Sequence, residues 1–269
     1  QSLGSAGTLL EGADLKRLEE AHEALFKHLW GGQGGKMRDV ALKEAKYYLT
    51  HTPAQERALL EIIPQAMVKT CPLPVYPDVG GLITPEERRA ARQKTGLPDN
   101  ASILLFFGIV RAYKGLMILL EAISKLRLRK EPVYLIVAGE FWDKKEPYID
   151  AITRLGISEY VLVEDRYIPE EEVRPLFASA DAVVAPYTGG TQSGIVSLAR
   201  GFGLPIVMTD RSAAGMDLSS MDGQTIAPAG DVDGLVNAIL HCLKTQPVIT
   251  QQQNIGWQEV IAAIESFKK

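Results

Sequence analysis

Residues 181–210 read Asp-Ala-Val-Val-Ala-Pro-Tyr-Thr-Gly-Gly-Thr-Gln-Ser-Gly-Ile-Val-Ser-Leu-Ala-Arg-Gly-Phe-Gly-Leu-Pro-Ile-Val-Met-Thr-Asp. The apolar run Ala182–Ala185 ends at Pro186, a loop rich in glycine and hydroxyl residues follows, and a helix is predicted to begin near Ser193. A second apolar run covers Pro205–Met208. This order of strand, loop, helix and strand makes one βαβ unit of a parallel sheet. Because the first turn of a helix has unpaired amides and partial positive charge, the loop before Ser193 predicts binding of a phosphorylated ligand.

The same alternation continues on both sides of this unit. Apolar strands are predicted at Ile103–Phe107, Val133–Ala138, Tyr160–Val163, Ala182–Ala185 and Pro205–Met208, with a weaker one at Thr225–Ile226. Helices are predicted at Leu116–Arg129, Lys144–Leu155, Glu170–Ser179, Gly194–Gly201 and Val232–Lys244. This pattern predicts an α/β fold with a doubly wound parallel, Rossmann-like sheet. The strands are continuously apolar, which fits burial on both faces.

The two ends of the chain differ from this pattern. Upstream we predict helices at Asp14–Trp30, Met37–Tyr47 and Pro53–Ile62 and a short strand at Tyr48–His51. Downstream a polar linker, Gln246–Gln253, precedes an amphipathic helix at Gly256–Phe267. We therefore predict a short, mainly helical segment over residues 1–75, which is a partial N-terminal lobe or a junction. A Rossmann-like domain follows over 76–252, and a C-terminal helix occupies 253–269.

Composition limits the class of protein. The chain has 269 residues, long enough for a sizeable core, with 46% hydrophobic and 23% charged residues. The net charge of −4 argues against a nucleic-acid-binding surface. Cys71 and Cys242 are far apart and are expected to be reduced thiols. Because the sequence shows neither a signal peptide nor a long apolar run, we expect a cytoplasmic protein. The basic run Lys125–Lys130 closes a predicted helix, so we interpret it as a solvated helix end in preference to a phosphate or lipid patch. Peripheral membrane association stays open, because the mean hydropathy of the chain is neutral.

Two cations follow the first strand of the predicted sheet. Arg111 and Lys114 lie in the loop after Phe107, at the end of the strand where open α/β sheets bind their ligands. A planar guanidinium and a compact ammonium three residues apart suit a diphosphate. By themselves they fit solvated surface cations equally well. Together with the helix start at Gln192, Ser193 and Gly194, they predict two anion-binding elements on one edge of the sheet.

At this point the sequence resembles a known family. Residues 103–210 are similar to the C-terminal, donor-binding domain of retaining glycosyltransferases of family four, which have the GT-B fold. The matching stretches are Leu-Leu-Phe-Phe-Gly-Ile-Val-Arg-Ala-Tyr-Lys-Gly-Leu (104–116), Ala-Gly-Glu-Phe-Trp (138–142), Asp-Arg-Tyr-Ile-Pro (165–169), Ala-Asp-Ala-Val-Val-Ala-Pro-Tyr (180–187) and Thr-Gln-Ser-Gly-Ile (191–195). Gly-Leu-Pro-Ile-Val (203–207) and Ala-Gly-Asp-Val-Asp-Gly-Leu (229–235) continue the likeness. The segment 255–261 resembles the family's closing helix, which packs back on the N-terminal part.

The resemblance implies roles for individual residues within a nucleotide-sugar-binding domain over 76–252. Arg111 and Lys114 would bind the donor diphosphate and offset the charge of the leaving group, as the catalytic cations. The amides of Ser193, Gly194 and Ile195 would cap the phosphates. The other donor-binding residues would be Gly108, Thr191 and Gln192 beside the sugar and phosphates, and Arg166, Tyr167 and Ile168 beside the base. No metal or other cofactor is implied, since the cations and the helix dipole take the place of a metal.

The implied reaction is transfer of a hexose, with retention, from a nucleoside-diphosphate sugar to a saccharide or lipid-linked acceptor in polysaccharide biosynthesis. The chain departs from the commoner family pattern at Thr191 and Leu198, where that pattern carries two glutamates, and the Thr-Gln-Ser-Gly sequence resembles a variant branch. Ala213-Ala214 and Leu73 replace a glycine pair and a histidine. The N-terminal part is also short for an acceptor-binding lobe.

These departures leave a second interpretation open. The chain would then be a non-catalytic, glycosyltransferase-like scaffold or partner subunit. Under either interpretation, residues 14–30 are a candidate contact with a partner chain or with a second copy in a homodimer. A nicotinamide-dependent oxidoreductase is disfavoured because no Gly-x-Gly-x-x-Gly opens the first helix. The base, the sugar and the acceptor are not specified by these patterns.

Overall fold

The structure is a computed structural model that describes residues 44–71, 81–98, 100–189, 193–213, 223–246 and 257–268. The chain divides into two compact units. The first comprises Gln1–Thr50 and Ala54–Thr70, and the second comprises His51–Pro53 and Cys71–Lys269. The helix predicted at Asp14–Trp30, and with it the dimer contact through residues 14–30, lies outside the described residues.

The first unit contains a parallel pair of short strands. Strand β1 covers Tyr47–Thr50 and β2 covers Met67–Thr70, and the helix α1, Pro53–Ile62, connects them. Their ends are joined by hydroxyl groups, since the Oγ1 atoms of Thr50 and Thr70 lie 2.8 Å apart. Helix α1 has the predicted bounds. Tyr47, predicted as the last residue of a helix, instead begins β1, and β2 was not predicted because its pattern, Met-Val-Lys-Thr, is too short and too polar to stand out.

The second unit is built on a six-stranded parallel sheet, with strand order β5-β4-β3-β6-β7-β8. The strands are β3 Ser102–Phe107, β4 Val133–Ala138, β5 Val161–Glu164, β6 Ala182–Ala185, β7 Ile206–Thr209 and β8 Gln224–Ala227. The helices are α2 Pro85–Thr95, α3 Leu116–Leu128, α4 Glu146–Arg154, α5 Glu170–Ser179, α6 Gly194–Phe202, α7 Val232–Thr245 and α8 Trp257–Glu265. All five strand pairings are parallel, so the predicted doubly wound α/β fold is confirmed.

Each face of the sheet carries its own apolar core. Leu104 and Phe106 of β3 point into one core, together with α3, α4 and α7. Ile103 and Leu105 point into the other, with α5 and α6. Because alternate side chains of a strand lie on opposite faces, a strand covered on both sides must be apolar throughout. The continuous apolar runs of the sequence therefore have the expected cause.

Helix α2 is an element that the sequence analysis missed, although its signals are present. Thr84 and Glu87 form a reciprocal capping box, and Pro85 occupies the first turn. The helix is held to the sheet by charge, because the guanidinium groups of Arg88 and Arg92 both bond to the carboxylate of Asp181. The sequence pattern Thr-Pro-Glu-Glu could have identified this helix start.

The strand order identifies where a ligand would be expected. From β3 the chain moves outward through β4 to β5, and then returns to β6 on the other side of β3. In open α/β sheets ligands bind at this reversal, beyond the carboxyl ends of the two central strands. A ligand is therefore expected at the carboxyl edge, meaning the edge of the sheet at which these strands end.

The predicted domain bounds 1–75, 76–252 and 253–269 stay predictions.

In the described part of the chain, no helix is both long enough and apolar enough to cross a membrane. Cys71 and Cys242 are free thiols, and burial raises the pKa of Cys242 to about 11.

Candidate functional site

Two glycines let three loops of the carboxyl edge approach one another. Gly115 follows the 3₁₀ turn Ala112–Lys114 with a φ of 73°, and a Cβ added there would lie 1.9 Å from the carbonyl oxygen of Pro186. Gly139, after β4, has a φ of 139°, and an added Cβ would lie 2.4 Å from the carbonyl oxygen of Gly108. Only glycine fits at these contacts. The loops after β3, β4 and β6 are thus in backbone contact with one another at the carboxyl edge.

Lys114 lies close to Gly108 and to the ring of Tyr187. A Cβ added to Gly108 would lie 3.7 Å from Lys114 Nζ and 3.6 Å from Ile195 Cδ1, so both side chains border the space beside Gly108. The same nitrogen lies 5.8 Å from the centroid of the Tyr187 ring. Burial, followed by the charge of Arg111, lowers the pKa of Lys114 to about 8. Gly108, Lys114 and Ile195 thus lie in one region of the carboxyl edge, and their roles in binding a donor stay predictions.

Arg111 adds a second positive charge beside Lys114. Its guanidinium carbon lies 5.0 Å from the centroid of the Trp142 ring, a cation–π geometry. Arg111 is close enough for its charge to depress the pKa of Lys114. Two cations that repel each other in this way make this part of the edge attractive to a polyanion, which would interact favourably with both.

The amino end of α6 faces the same region. Ser193 is the N-cap residue, but its side chain makes no capping bond; instead its Oγ lies 3.0 Å from the hydroxyl oxygen of Tyr187. Both side chains are buried, and burial raises the pKa of Tyr187 to about 12. A Cβ added to Gly194 would meet no heavy atom within 4 Å. The Ser193 side chain thus leaves the first amides of α6 to a ligand, and the dipole of the helix adds positive potential.

The three residues predicted to lie beside the base, Arg166, Tyr167 and Ile168, differ in exposure and in partners. Arg166 is exposed and forms ion pairs with Glu164, at 2.9 Å, and with Glu172. Its charge is therefore largely neutralised within the protein. The Ile168 side chain is buried in the core, whereas that of Tyr167 is 68% exposed. Of the three side chains, Tyr167 is the one available to stack on a ligand, and Ile168 could contribute backbone groups alone.

Two predicted sugar-facing residues, Thr191 and Gln192, lie outside the described residues, and so do Ala214 and Leu73. Leu198 is described, and its side chain packs in the core beneath α6 with Ala199 and Phe202. A residue in this position contributes to packing, which is why an apolar side chain is accommodated there.

Several residues of the site were not predicted. Tyr187 joins the β6 loop to Ser193, and Trp142 contacts Arg111. Thr209 donates to the carbonyl oxygen of Tyr187 at 2.6 Å, and Ser212 donates to that of Ala185 at 2.5 Å. These hydroxyls are buried, so they fix the end of β6 from the neighbouring strand. In the sequence, these residues are marked only by their position, because each lies at or shortly after the end of an apolar strand.

Within the described ranges, His, Cys, Asp and Glu side chains form no group of three that could hold a metal ion. What the arrangement offers chemically is a pair of cations opposite a helix amino end. Such a site can bind a diphosphate and stabilise the negative charge that develops when a bond to it breaks.

Comparison with known proteins identifies a family, and two curated relatives are named glycosyltransferases. The model of the family described as Glycosyl transferases group 1 matches residues 101–245, more than half of the chain. A D-inositol 3-phosphate glycosyltransferase 1 of Catenulispora acidiphila is 33% identical over 142 residues, which cover 49% of this chain and 34% of the relative. A D-inositol 3-phosphate glycosyltransferase of Streptomyces bingchenggensis is 27% identical over 198 residues, 65% of this chain and 42% of the relative. The chain thus spans less than half the length of these curated relatives.

Solved structures agree on the fold. The sucrose-phosphate synthase of Thermosynechococcus elongatus superposes with a TM-score of 0.70 at 15% identity, covering 91% of this chain and 64% of that protein. HepE of Anabaena, in complex with UDP and glucose, superposes with a TM-score of 0.67 at 20% identity, covering 86% and 64%. The sheet with its alternating helices resembles the donor domains of GT-B glycosyltransferases.

Proposed function

The chain belongs to the family Glycosyl transferases group 1, and on that premise we propose that it contains the donor-binding domain of a retaining family-four glycosyltransferase of the Thr-Gln-Ser-Gly branch. The proposed reaction transfers a hexose from a nucleoside-diphosphate sugar to a saccharide or lipid-linked acceptor. Its donor would be bound at the carboxyl edge of the sheet. No metal is needed in this proposal, because the protein supplies the positive charge itself.

The observation that carries the proposal is that Lys114 Nζ and the side chain of Ile195, in the first turn of α6, both border the space beside Gly108. A charged lysine that is buried beside Arg111 is unfavourable by itself, since both desolvation and like-charge repulsion oppose its protonation. A bound diphosphate would offset both penalties. A perturbed lysine of this kind, located at the topological switch point of the sheet, is typical of a ligand site.

Each part of the site has a task in the proposed reaction. Arg111 and Lys114 would bind the diphosphate oxygens, and the first amides of α6, from Ser193 to Ile195, would cap one phosphate. When the bond between the sugar and the diphosphate breaks, negative charge grows on the leaving oxygen. Cations and amides that are already in place stabilise that charge without reorganisation. Tyr167 would stack beside the base, and Thr191 and Gln192 would contact the sugar.

The nucleotide can be identified by titration. UDP is the first probe, because structures of HepE of Anabaena are complexes with UDP and with UDP-glucose; GDP and ADP follow. Calorimetry on the whole chain should find one nucleoside diphosphate that binds. Arg111→Ala and Lys114→Ala should each weaken it by about 1–3 kcal/mol, the contribution of a charge-assisted hydrogen bond.

The matched control is Lys125→Ala, which removes the same charge near the far end of α3, where Lys125 pairs with Asp233. Its affinity should equal that of the wild type. Equal affinity in the Lys114→Ala variant, or an equal loss in the Lys125→Ala variant, would contradict the proposed site.

A second candidate function is a glycosyltransferase-like scaffold without its own turnover. It is favoured by Leu198, a core residue at a position where the commoner family pattern carries a glutamate. A scaffold would bind none of the nucleoside diphosphates. The same titration therefore separates the two functions.

A further inference from the structure

We propose that Trp142 and Asp143, in the loop after β4, are positioning residues that hold Arg111 and its loop in the conformation that binds a diphosphate. This inference rests on the proposed function. It adds a specific role for two residues that do not belong to the cation pair or to the helix start.

Backbone contacts join the loops after β3 and β4 beyond the ends of the strands. Gly108 N donates to the carbonyl oxygen of Ala138 at 2.8 Å, and Val110 N donates to that of Glu140 at 2.8 Å. Trp142 N donates back to the carbonyl oxygen of Val110 at 3.2 Å. Parallel pairing thus continues up to the residue before Arg111, so the two loops form a single ribbon there.

Side chains extend this ribbon to Arg111 itself. The Arg111 guanidinium lies over the Trp142 ring, 5.0 Å from its centroid, and Asp143 Oδ2 accepts a hydrogen bond from Ala112 N at 2.7 Å. Consecutive residues of one loop therefore contact consecutive residues of the other. The ring restricts the long arginine side chain, and the carboxylate fixes the first peptide of the 3₁₀ turn that ends at Lys114.

The loop after β4 is itself anchored on its other side. Phe141 N donates to Asp165 Oδ1 at 3.1 Å, and Lys145 Nζ lies 3.1 Å from Asp165 Oδ2. These bonds lower the pKa of Asp165, so its carboxylate is ionised at neutral pH. The loop is thus connected to the segment after β5 on one side and to the cation loop on the other. An anchored support lowers the entropy that Arg111 loses when it binds a ligand.

The role of Trp142 is tested by a double-mutant cycle with Arg111, read out as nucleoside-diphosphate affinity by calorimetry. Trp142→Leu should weaken binding about threefold to tenfold, the range of a partly exposed cation–π contact, and Trp142→Phe should restore most of it because it keeps an aromatic face. In the Arg111→Ala background the Trp142→Leu change should have no further effect. A loss of the same size in both backgrounds would mean that Trp142 acts on the loop in general, and it would overturn the proposal.

The role of Asp143 is tested by its acceptor oxygen. Asp143→Ala should weaken diphosphate binding about threefold to tenfold, whereas Asp143→Asn keeps an acceptor for Ala112 N and should bind nearly as well as the wild type. Asp150→Ala, at an exposed aspartate of α4, removes the same charge and should leave affinity unchanged. If Asp143→Asn is as impaired as Asp143→Ala, or if Asp143→Ala binds normally, the positioning role is wrong.

The donor site and the positioning role can fail separately. Binding of UDP, GDP or ADP by the wild type, together with a cycle that shows no coupling between Trp142 and Arg111, overturns the positioning role and leaves the donor site intact. Absence of any nucleoside-diphosphate binding by the wild type overturns both.

Discussion

Lys114 illustrates how a functional side chain can oppose stability. Its ammonium group is buried beside the charge of Arg111, and both influences lower its pKa. A neutral side chain of similar length would be more favourable for folding. Residues that conflict with their surroundings in this way are concentrated at functional sites.

We predict that Lys114→Met stabilises the protein while it weakens diphosphate binding. The folded state holds the lysine with a pKa of about 8, against an ordinary value of 10.5, so the unfolded state binds more protons between these values. The penalty is complete below pH 8, and it disappears as the pH rises to 10.5. The variant should therefore gain about 1–3 kcal/mol in the free energy of unfolding at pH 7 and almost nothing at pH 10.5.

Urea unfolding of the variant and the wild type at the two pH values measures this difference. Lys125→Met is the matched control, because it makes the same change at an exposed lysine of α3 that pairs with Asp233, and it should bring no gain in stability at pH 7. A Lys114→Met variant less stable than the wild type at pH 7 would show that Lys114 makes favourable contacts that outweigh its burial.

At the scale of elements, hydrogen bonds join the loops at the carboxyl edge across the whole sheet. Each loop is bonded to the next in the order of the strands. The contacts are Asp165 to Phe141 N, Asp143 to Ala112 N, Thr188 N to the Tyr113 carbonyl oxygen, Thr209 to the Tyr187 carbonyl oxygen, and Asp210 to Ala229 N. A site built on these loops is supported from both sides, as precise ligand binding requires.

The junction between the 3₁₀ turn and α3 gives a prediction about backbone space. Gly115→Ala places a Cβ against the carbonyl oxygen of Pro186, in addition to the left-handed conformation that alanine disfavours. Gly156→Ala is the matched control, since Gly156 has a similar φ of 65° and nothing within 4 Å of an added Cβ.

Gly156→Ala should lower the free energy of unfolding by about 1–2 kcal/mol, the conformational cost alone. Gly115→Ala should lower it by clearly more, and it should also impair diphosphate binding because the loop carrying Lys114 must move. Equal losses in denaturant unfolding would show that the loop after β6 yields easily.

The N-terminal cap of α2 gives a prediction about the stability of the protein at acidic pH. Glu87 accepts bonds from Arg174 and from the backbone of Thr84, and the Arg174 bond above all lowers its pKa from 4.5 to about 2. A carboxyl whose folded pKa is depressed contributes stability above its unfolded pKa, and this contribution is lost as the pH falls through 4.5 towards 2. Glu87→Gln should therefore flatten the decline of stability between pH 4.5 and 2.

Thermal unfolding followed across this pH range checks the effect. Glu86→Gln, which removes an exposed partner of Arg89 in the same turn, serves as the control and should keep the slope of the wild type. If Glu87→Gln leaves the dependence of stability on pH unchanged, protonation of Glu87 does not cause the loss of stability in acid.

For the whole molecule, the order of strands concentrates function at one edge. The strand order reverses between β3 and β6, which are parallel neighbours. The two cations follow the end of β3, and α6 begins after the loop that follows β6. We expect a bound nucleoside diphosphate to slow amide hydrogen exchange in residues 108–114 and 193–196. Residues 129–132 and 156–160, which lie before strands at the opposite edge, should exchange as in the free protein.

Mass spectrometry of peptic peptides, with and without the nucleotide found by titration, measures this pattern. Protection at the opposite edge, or uniform protection over the sheet, would place the ligand elsewhere or indicate a general gain in stability.

The sequence by itself determined the class of fold, the bounds of most strands and helices, and the edge at which the cations lie. These features follow from local periodicity, glycine and proline positions and the fixed geometry of parallel strands. Tertiary structure alone decided which side chains meet. It places Lys114 and Ile195 beside the same glycine, Gly108, places Arg111 on Trp142, and neutralises Arg166 with Glu164 and Glu172. Contacts between residues far apart in the chain depend on strand order and on packing between elements, and no local pattern encodes either.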